Sequence, residues 1–364
     1  MLIRITDRTL SCVDDRAGNK PALARFLKFL VKMDPGAIEL SEKMYSLLSP
    51  LPEYHYILRI DKPADAKKYQ ADSYITEFIC RNVPASAPID AREKIRAEIL
   101  LNNTLKTSSE TIARYAGYAN VRIQGLDYLM CDDYMRAFEY LKKVFNSNGN
   151  AGRIEFCPRN HFNCATALAA EWITGDMGTN IVTSFGGIGG FAPTEEVIMI
   201  LREYRLRGED KIYGFFPEMA QLFHRLTKKN ISPNKPIIGS GVFHVESGVH
   251  VDGILKQPKC YEPFAPEIVG QKRKIVLGKH SGTASIIAKL SELNINCSQE
   301  RIPIMLEQIK NKAAQENGEV TDRDFVKLLQ EHLLQEHLLQ EHLLQEHLLQ
   351  EHLLQEHLLK EHGS

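Results

Sequence analysis

Residues 153–170 read RIEFCPRNHFNCATALAA, a stretch that combines a short apolar strand, a polar corner and an alanine-rich helix. A strand that ends in polar residues and passes directly into a helix is typical of a parallel β/α unit. The corner carries Cys157, Arg159, Asn160 and His161. Because α/β proteins keep their functional residues at this end of their strands, the corner is a candidate site.

Similar β/α units recur on both sides of this stretch, from residue 2 to about residue 206. Eight units in this length favour a compact (β/α)8 TIM barrel over an open sheet. The fifth strand is the weakest prediction, because its residues also fit the end of the preceding helix. The predicted strands are Leu2–Ile5, Ala37–Leu40, Tyr54–Ile60, Tyr74–Cys80, Glu98–Leu101, Asn120–Ile123, Arg153–Cys157 and Asn180–Phe185. The predicted helices lie near 20–33, 41–49, 63–70, 88–96, 107–117, 132–147, 162–175 and 193–206.

After residue 206 the alternation stops, and the pattern predicts a small, mainly helical C-terminal region. Helices are expected near 216–228, 282–293 and 298–315, with a basic strand-like segment, KRKIVLG, before the last two. The chain is therefore predicted to have three parts, which are the barrel over 1–206, a lid and dimerisation region over 207–327, and a tail over 328–364.

The tail repeats LLQEH six times and ends with LLKEH. Each five-residue step turns a helix by about 140° past a full turn, so the leucines do not form one stripe. A coiled coil needs a period of about 3.5 residues. The pattern favours a solvated or self-associating helix. A histidine-rich metal tail is the alternative, although histidines five apart do not share a helical face.

The composition, 43% hydrophobic and 25% charged, is that of an ordinary globular protein. A formal net charge of -1 gives no electrostatic reason to expect nucleic acid or an anionic membrane as a partner. The seven cysteines form no CxxC pair, which favours free thiols in a reducing compartment. The sequence lacks a signal-like start and a long apolar run, so we expect a cytoplasmic protein.

Three motifs after the barrel carry a specific resemblance. They are H-x-E-S-G-x-H-x-D-G at His244–Gly253, Y-E-P-F at Tyr261–Phe264 and L-G-K-H-S-G at Leu277–Gly282. Their order and spacing resemble the post-barrel region of homocitrate synthases, especially the nitrogen-fixation type, and of 2-isopropylmalate and citramalate synthases. A weaker resemblance extends from Ile3 to about Asp324.

This resemblance implies a (β/α)8 enzyme that condenses an acyl-CoA, such as acetyl-CoA, with a 2-oxo acid around one divalent metal. In such chemistry the metal polarises a carbonyl, a base removes a proton and a cation stabilises the alkoxide. The family places D-x-x-L-R-D after the first strand, H-x-H-N-D after the seventh and G-E-R-x-G-N after the eighth.

This chain departs from that pattern at each metal-ligand position. The first-strand aspartate ligand corresponds to Cys12, and the two seventh-strand histidines correspond to Cys157 and Arg159. The asparagine ligand after the eighth strand corresponds to Phe191. An arginine stays protonated and cannot ligate a metal, so we expect the divalent metal to be lost. The family's catalytic arginine corresponds to Ser11.

Other polar positions of the barrel are also changed. Asn102–Asn103 stands where the family has Glu-Asp, and Gln124-Gly125-Leu126 stands where it has Ala-Asp-Thr. Glu39 and Arg59 do match the family, either as remnants of substrate binding or as a buried pair. We assign Glu39, Arg59, Arg159 and His161 as candidate substrate-binding residues, with acetyl-CoA as a candidate ligand.

The post-barrel region, by contrast, keeps the residues that the family uses on a partner subunit. The resemblance implies that His250 and Tyr261, with His244, act in trans at the partner's barrel mouth. We therefore expect a divergent homocitrate synthase-like subunit that is inactive alone and complements or regulates a paralogue. It is expected to form a homodimer or a heterodimer.

Two alternatives remain open at this point. Cys157, Cys164 and His161 could form a nucleophilic or soft-metal site, with the Cys157 thiolate stabilised by Arg159. The barrel would then act on an acyl-CoA or a 2-oxo acid without the divalent metal. If the corner has no such reactivity, Cys12 and Cys157 only fill the space of the lost metal, and Arg159 replaces its charge.

The second alternative is a scaffold protein that assembles through its tail.

Overall fold

The computed structural model describes residues 3–14, 19–81, 94–101, 120–125 and 154–331, together with a few isolated positions. The chain divides into two compact units. The barrel unit comprises Met1–Val242 and Pro266–Gln271, and the C-terminal unit comprises Phe243–Ala265 and Lys272–Ser364. The predicted division of the chain into 1–206, 207–327 and 328–364 stays a prediction.

Eight parallel strands of the barrel unit close into a barrel in chain order. The first strand pairs with the second and also with the eighth, with Thr6 opposite both Ala37 and Val182. The predicted (β/α)8 class is confirmed, and all eight predicted strands are present. They are β1 (Arg4–Asp7), β2 (Gly36–Ser41), β3 (Tyr56–Arg59), β4 (Ile75–Cys80), β5 (Ile95–Leu101), β6 (Asn120–Gly125), β7 (Ile154–Pro158) and β8 (Asn180–Thr183).

The described helices of the barrel unit agree with most of the predicted positions. The helix predicted near 88–96 is wrong at its end, because residues 95 and 96 belong to β5, and 88–93 lie outside the described residues. The helices predicted near 107–117 and 132–147 also lie largely outside them. The helices are α1 (Thr9–Cys12), α2 (Lys20–Met33), α3 (Glu42–Leu48), a 3-10 helix (Pro63–Tyr69), α4 (Ala165–Thr174), α5 (Thr194–Glu203) and α6 (Phe216–Thr227).

Helix α2 illustrates why these segments form where they do. The Asn19 side chain accepts a hydrogen bond from the backbone N–H of Ala22 (3.1 Å), which caps the first turn. Asp34 ends the helix in the left-handed conformation. The buried residues recur three or four positions apart and form one apolar face: Leu23, Phe26, Leu27, Leu30 and Met33.

The C-terminal unit is mainly helical, with one short parallel strand pair. Its core contains Leu277, Ile286, Met305, Ile309 and Phe325 among other apolar residues. A further helical stretch covers 322–331. The named elements are β9 (His244–Val245), α7 (Gly248–Lys256), β10 (Lys274–Ile275), α8 (Thr283–Glu292) and α9 (Ile302–Glu316).

Within the described part of the chain, no helix combines the length and apolar character needed to cross a bilayer. In the tail, the described residues 344–346 and 348 are helical, and Leu344 and Leu348 are exposed.

Candidate functional site

The mouth of the barrel begins where β1 ends at Asp7. The buried Asp7 carboxylate accepts hydrogen bonds from the Thr9 backbone N–H (3.0 Å) and from the Thr194 hydroxyl. Burial raises the pKa of Asp7 to about 6, although these hydrogen bonds oppose the shift. Asp7 therefore fastens the turn after β1 to the start of α5.

Three of the four positions that the family uses for metal ligands lie in an apolar cluster. Cys157 and Phe191 pack with Val182, and Cys12 packs against them. Cys157 is fully buried, and burial raises the pKa of its thiol to about 12. The pKa of the Cys12 thiol is also raised by burial. A buried, protonated thiol is a poor nucleophile and a poor metal ligand.

A glycine-rich turn brings Phe191 into this cluster. The run Gly186–Gly190 has positive φ at four of its glycines, a conformation that side chains disfavour. A Cβ atom at Gly189 would lie 2.7 Å from the Phe191 ring and 3.0 Å from the Cys12 sulfur. The glycine run is therefore required for a tight turn that folds Phe191 back over Cys12.

The guanidinium of Arg8 occupies the space next to this cluster. It lies 4.1 Å from the centroid of the Phe191 ring and 3.7 Å from the Cys157 sulfur. It also donates to the Gln124 side chain (3.3 Å) and lies 3.7 Å from a carboxylate oxygen of Glu39. A permanently charged cation thus stands among the positions that correspond to the metal ligands.

These residues do not fit a hard divalent metal. Such an ion needs several oxygen or imidazole donors around one point, whereas Cys157 and Phe191 offer a protonated thiol and a ring. Among the residues that the structure describes, no group of three or more His, Cys, Asp or Glu side chains is arranged to hold a metal ion. The adjacent Arg8 charge would also repel one.

Two of the predicted substrate-binding residues, Glu39 and Arg59, are in direct contact. The Arg59 Nε donates to Glu39 (2.9 Å), and the other two guanidinium nitrogens donate to Glu98 (2.9 and 2.8 Å). Arg59 is partly exposed, whereas Glu39 is fully buried. The pair therefore belongs to a larger ion network inside the barrel.

Arg159 and His161 lie on the turn after β7. The Arg159 guanidinium lies 4.8 Å from the centroid of Phe191, so this ring contacts the guanidinium groups of both Arg159 and Arg8. The His161 side chain is exposed. Asn160 holds the turn by accepting a hydrogen bond from the Ala165 backbone N–H (2.9 Å).

The sequence analysis missed most of the ion network. The fully buried Arg122 guanidinium contacts Glu39 and Glu155, and Arg96 contacts Glu155 at 2.6 Å. Burial alone would raise the pKa values of Glu98 and Glu155, but the arginine partners outweigh burial and lower both to about 2. The available signal was the two-residue spacing of charged residues along β5, as in Arg96-x-Glu98.

The predicted trans-acting residues lie in the C-terminal unit, where the rings of His250 and Tyr261 are in contact. Their centroids are 5.7 Å apart, and the two side chains are exposed, Tyr261 by 45%. Gly253 makes this contact possible, because a Cβ atom there would lie 2.2 Å from the Tyr261 hydroxyl. His244 is exposed on β9, opposite Lys274 of β10.

The first and third motifs of the C-terminal unit pack directly against each other. The Glu246 carboxylate accepts a hydrogen bond from the His280 backbone N–H (2.8 Å). A Cβ atom at Gly248 would lie 2.6 Å from the Gly282 Cα, so the two backbones can approach only because both are glycines. The motif glycines therefore set the position of α7, which carries His250.

Comparison with known proteins agrees with this architecture. The family described as homocitrate synthase post-HMGL domain-like matches residues 237–317. The homocitrate synthase omega subunit of Clostridium pasteurianum is 34% identical over 215 residues, which are 58% of this chain and 58% of that protein. The 2-isopropylmalate synthase 2 of Caldanaerobacter subterraneus subsp. tengcongensis is 33% identical over 250 residues, 66% of this chain and 64% of that protein. The matched regions thus span less than two thirds of these relatives.

A solved HMG-CoA lyase from Brucella melitensis aligns with a TM-score of 0.44 and 11% identity, over 56% of this chain and 91% of that chain. The barrel fold is established by its closed strand pairing, and nothing is inferred from this likeness.

The fold and the motifs define a (β/α)8 barrel protein with a homocitrate synthase-type C-terminal unit. In sequence the chain is similar to homocitrate synthases and 2-isopropylmalate synthases.

Proposed function

We propose that the chain is a complementing subunit of a dimeric, acetyl-CoA-dependent homocitrate synthase-like enzyme. It lends His250 and Tyr261, with His244, to the barrel mouth of an active paralogue, and its own barrel does not condense an acyl-CoA with a 2-oxo acid. The observation that carries the proposal is the contrast between a barrel mouth filled by Arg8 and Phe191 and an exposed His250–Tyr261 pair.

The filled mouth supports the proposal that the chain's own barrel does not condense an acyl-CoA with a 2-oxo acid. Condensation of this type needs an electrophile that polarises a carbonyl and a site that stabilises the resulting alkoxide. The metal-ligand positions hold a thiol and an aromatic ring, and the guanidinium groups of Arg8 and Arg59 are already paired with Glu39. Each of these groups would have to rearrange before it could serve the reaction.

The exposed ring pair supports the proposal that the chain lends His250 and Tyr261 to a partner. An imidazole and a phenol are both groups that can take part in proton transfer, and both side chains are exposed here. One relative is itself named as a subunit of homocitrate synthase. We extend the proposal to a cytoplasmic location, because the seven cysteines form no CxxC pair.

The test is acyl-CoA condensation measured with the chain alone, with a paralogue from the same genome alone, and with the two mixed. We expect copurification of the two chains and a rise in turnover that depends on the mixture. His250→Ala should abolish the rise, whereas His55→Ala, which changes an exposed histidine of the barrel unit, should leave it intact.

Two results would contradict the proposal. One is a mixture whose turnover is unchanged when His250→Ala replaces the unmodified chain. The other is release of free CoA thiol by the chain alone in the presence of a chelator, which would instead support metal-independent chemistry in its own barrel.

A further inference from the structure

The C-terminal unit carries an apolar groove of about 580 Å³ on the surface of α7, α8 and β10. Its lining includes Leu255, Ile275, Ala284, Ile287, Ala288 and Ser291. Leu255 is 58% exposed and Ile287 is 52% exposed, although both are large apolar side chains. Covering them would remove apolar surface from water, at roughly 25 cal/mol per Å².

The shape of the groove suits a helix. Along α8 the lining residues Ala284, Ala288 and Ser291 follow helical spacing and have small side chains. These small side chains line the groove together with the larger Leu255 and Ile287. An amphipathic helix that inserts one or two large apolar side chains into such a groove is a common mode of recognition.

The charged residues at the rim are already paired. Asp252 contacts Lys256 at 2.7 Å, Glu292 contacts the buried Lys289 at 3.0 Å, and Arg273 contacts Glu262 at 2.6 Å. These pairs leave the apolar floor as the main determinant of what binds. The groove therefore favours an occupant that presents leucine side chains to it over one that presents charged side chains to it.

The LLQEH tail offers such an occupant. The second leucine of one repeat lies four residues before the first leucine of the next, as in Leu344 and Leu348. Residues four apart share a helical face, and these two are helical and exposed by 67% and 58%. In a continuous helix, successive patches of two leucines would be turned by about 140° from one another, a pattern that suits short grooves and not a continuous seam.

We propose that the α7–α8 groove is the docking site for the LLQEH tail of a second copy of this chain. Residues 332–364 follow directly after the last helical stretch of the C-terminal unit, which also carries the groove. Leu344 and Leu348 are exposed in the single chain, and the groove of a second copy would cover them.

A tail docked in the α7–α8 groove leaves His250 accessible. On α7 the buried residues are Val251 and Ile254, and His250 and Leu255 lie about 140° apart around the helix. His250 therefore flanks the buried edge on one side and Leu255 on the other. The inference does not depend on the proposed function, since it concerns self-association and not turnover.

The test is sedimentation of the full chain at several concentrations, which should show concentration-dependent self-association. Ile287→Glu should weaken it at least tenfold, as should a tail in which the leucines from 333 to 359 are replaced by glutamine. Ile304→Glu is the matched control, because Ile304 is a 47% exposed isoleucine on α9 outside the groove.

Mixing the two weakened variants provides the decisive comparison. The Ile287→Glu chain keeps an intact tail and the glutamine variant keeps an intact groove, so the mixture should associate again. A synthetic peptide LLQEHLLQEHLLQEH added in excess should dissociate the unmodified chain. A monomeric unmodified chain, an Ile287→Glu chain that associates like Ile304→Glu, or a mixture that stays apart would overturn the inference.

Discussion

At the scale of single residues, Gly253 controls the geometry of the His250–Tyr261 ring pair. Its missing side chain leaves room for the Tyr261 ring, which lies across α7 and contacts the His250 imidazole. Any side chain at position 253 would meet the Tyr261 hydroxyl and ring at less than a normal contact distance. Gly253 is therefore a positioning residue for the pair.

We predict that Gly253→Ala separates the two rings while the fold is retained. The added methyl collides with the Tyr261 ring, which is a movable side chain and can swing away. The ring-current shift of the His250 imidazole protons, measured by NMR, should be lost. Gly318→Ala is the control, since a Cβ atom there makes only an ordinary contact. An unchanged His250 signal in Gly253→Ala would contradict this account.

Cys157 should be chemically inert in the folded chain. Its thiol is fully buried and its pKa is raised to about 12, so at pH 8 almost no thiolate is present. Exposed Cys260 should react with iodoacetamide under the same conditions. Peptide mass spectrometry would show labelling of Cys260 and not of Cys157. Rapid native labelling of Cys157 would instead favour a reactive site.

The sequence could predict the identities at these positions but not their contacts. Cys157 and Phe191 are visible as departures from the family's ligand pattern. No sequence pattern indicated that Arg8, and not Arg159 alone, places a cation beside them. That depends on the direction in which the turn after β1 points its side chains, which is a property of the closed barrel.

At the scale of elements, the strands of the barrel are tied together by ion pairs across its interior. Arg122 on β6 contacts Glu39 on β2 and Glu155 on β7. Strand positions were predictable from apolar runs, including β5, the weakest prediction. The ion-pair partners were not predictable. Arg122 and Glu39 are 83 positions apart in sequence, and they meet only because eight strands close into a barrel.

We predict that Glu98→Gln destabilises the barrel unit by about 3–5 kcal/mol, because it leaves buried arginine charge without its partner. Glu98 is nearly fully buried and receives two hydrogen bonds from Arg59. Chemical denaturation of the full chain measures the free energy of unfolding. Glu209→Gln, which changes an exposed ion pair with Arg205, should alter it by less than about 1 kcal/mol. Equal effects of both substitutions would contradict the network's role.

The network also predicts a dependence of stability on pH. The pKa values of Glu98 and Glu155 are lowered to about 2 in the folded chain, whereas an unfolded glutamate titrates near about 4.3. Their contribution is therefore present above about pH 4.3 and is lost as the pH falls towards 2. Denaturation at a series of pH values should show a steeper loss in the unmodified chain than in a Glu98→Gln chain. Parallel curves would contradict the assignment.

At the scale of the whole molecule, the two units differ in what they keep of the homocitrate synthase-like motifs. The barrel unit has a filled mouth, and the C-terminal unit keeps its three motifs and its exposed ring pair. The fold class was predictable, since it follows from the number and order of β/α units. The apolar groove was not predictable, because its lining comes from three separate elements, α7, α8 and β10.

We predict that restoring the four ligand types does not by itself restore metal binding. A chain with Cys12→Asp, Cys157→His, Arg159→His and Phe191→Asn still has the Arg8 guanidinium beside these positions. Adding Arg8→Thr removes that positive charge, and only then should Mn²⁺ bind, as followed by electron paramagnetic resonance. Binding of equal strength with and without Arg8→Thr would show that Arg8 does not exclude the ion.

The most direct test of the central claim is an anomalous difference map from a crystal of the unmodified chain soaked in manganese. The account predicts no anomalous peak at the top of this chain's own barrel, where Arg8, Cys157 and Phe191 meet. A manganese ion bound there by residues of this chain would contradict it.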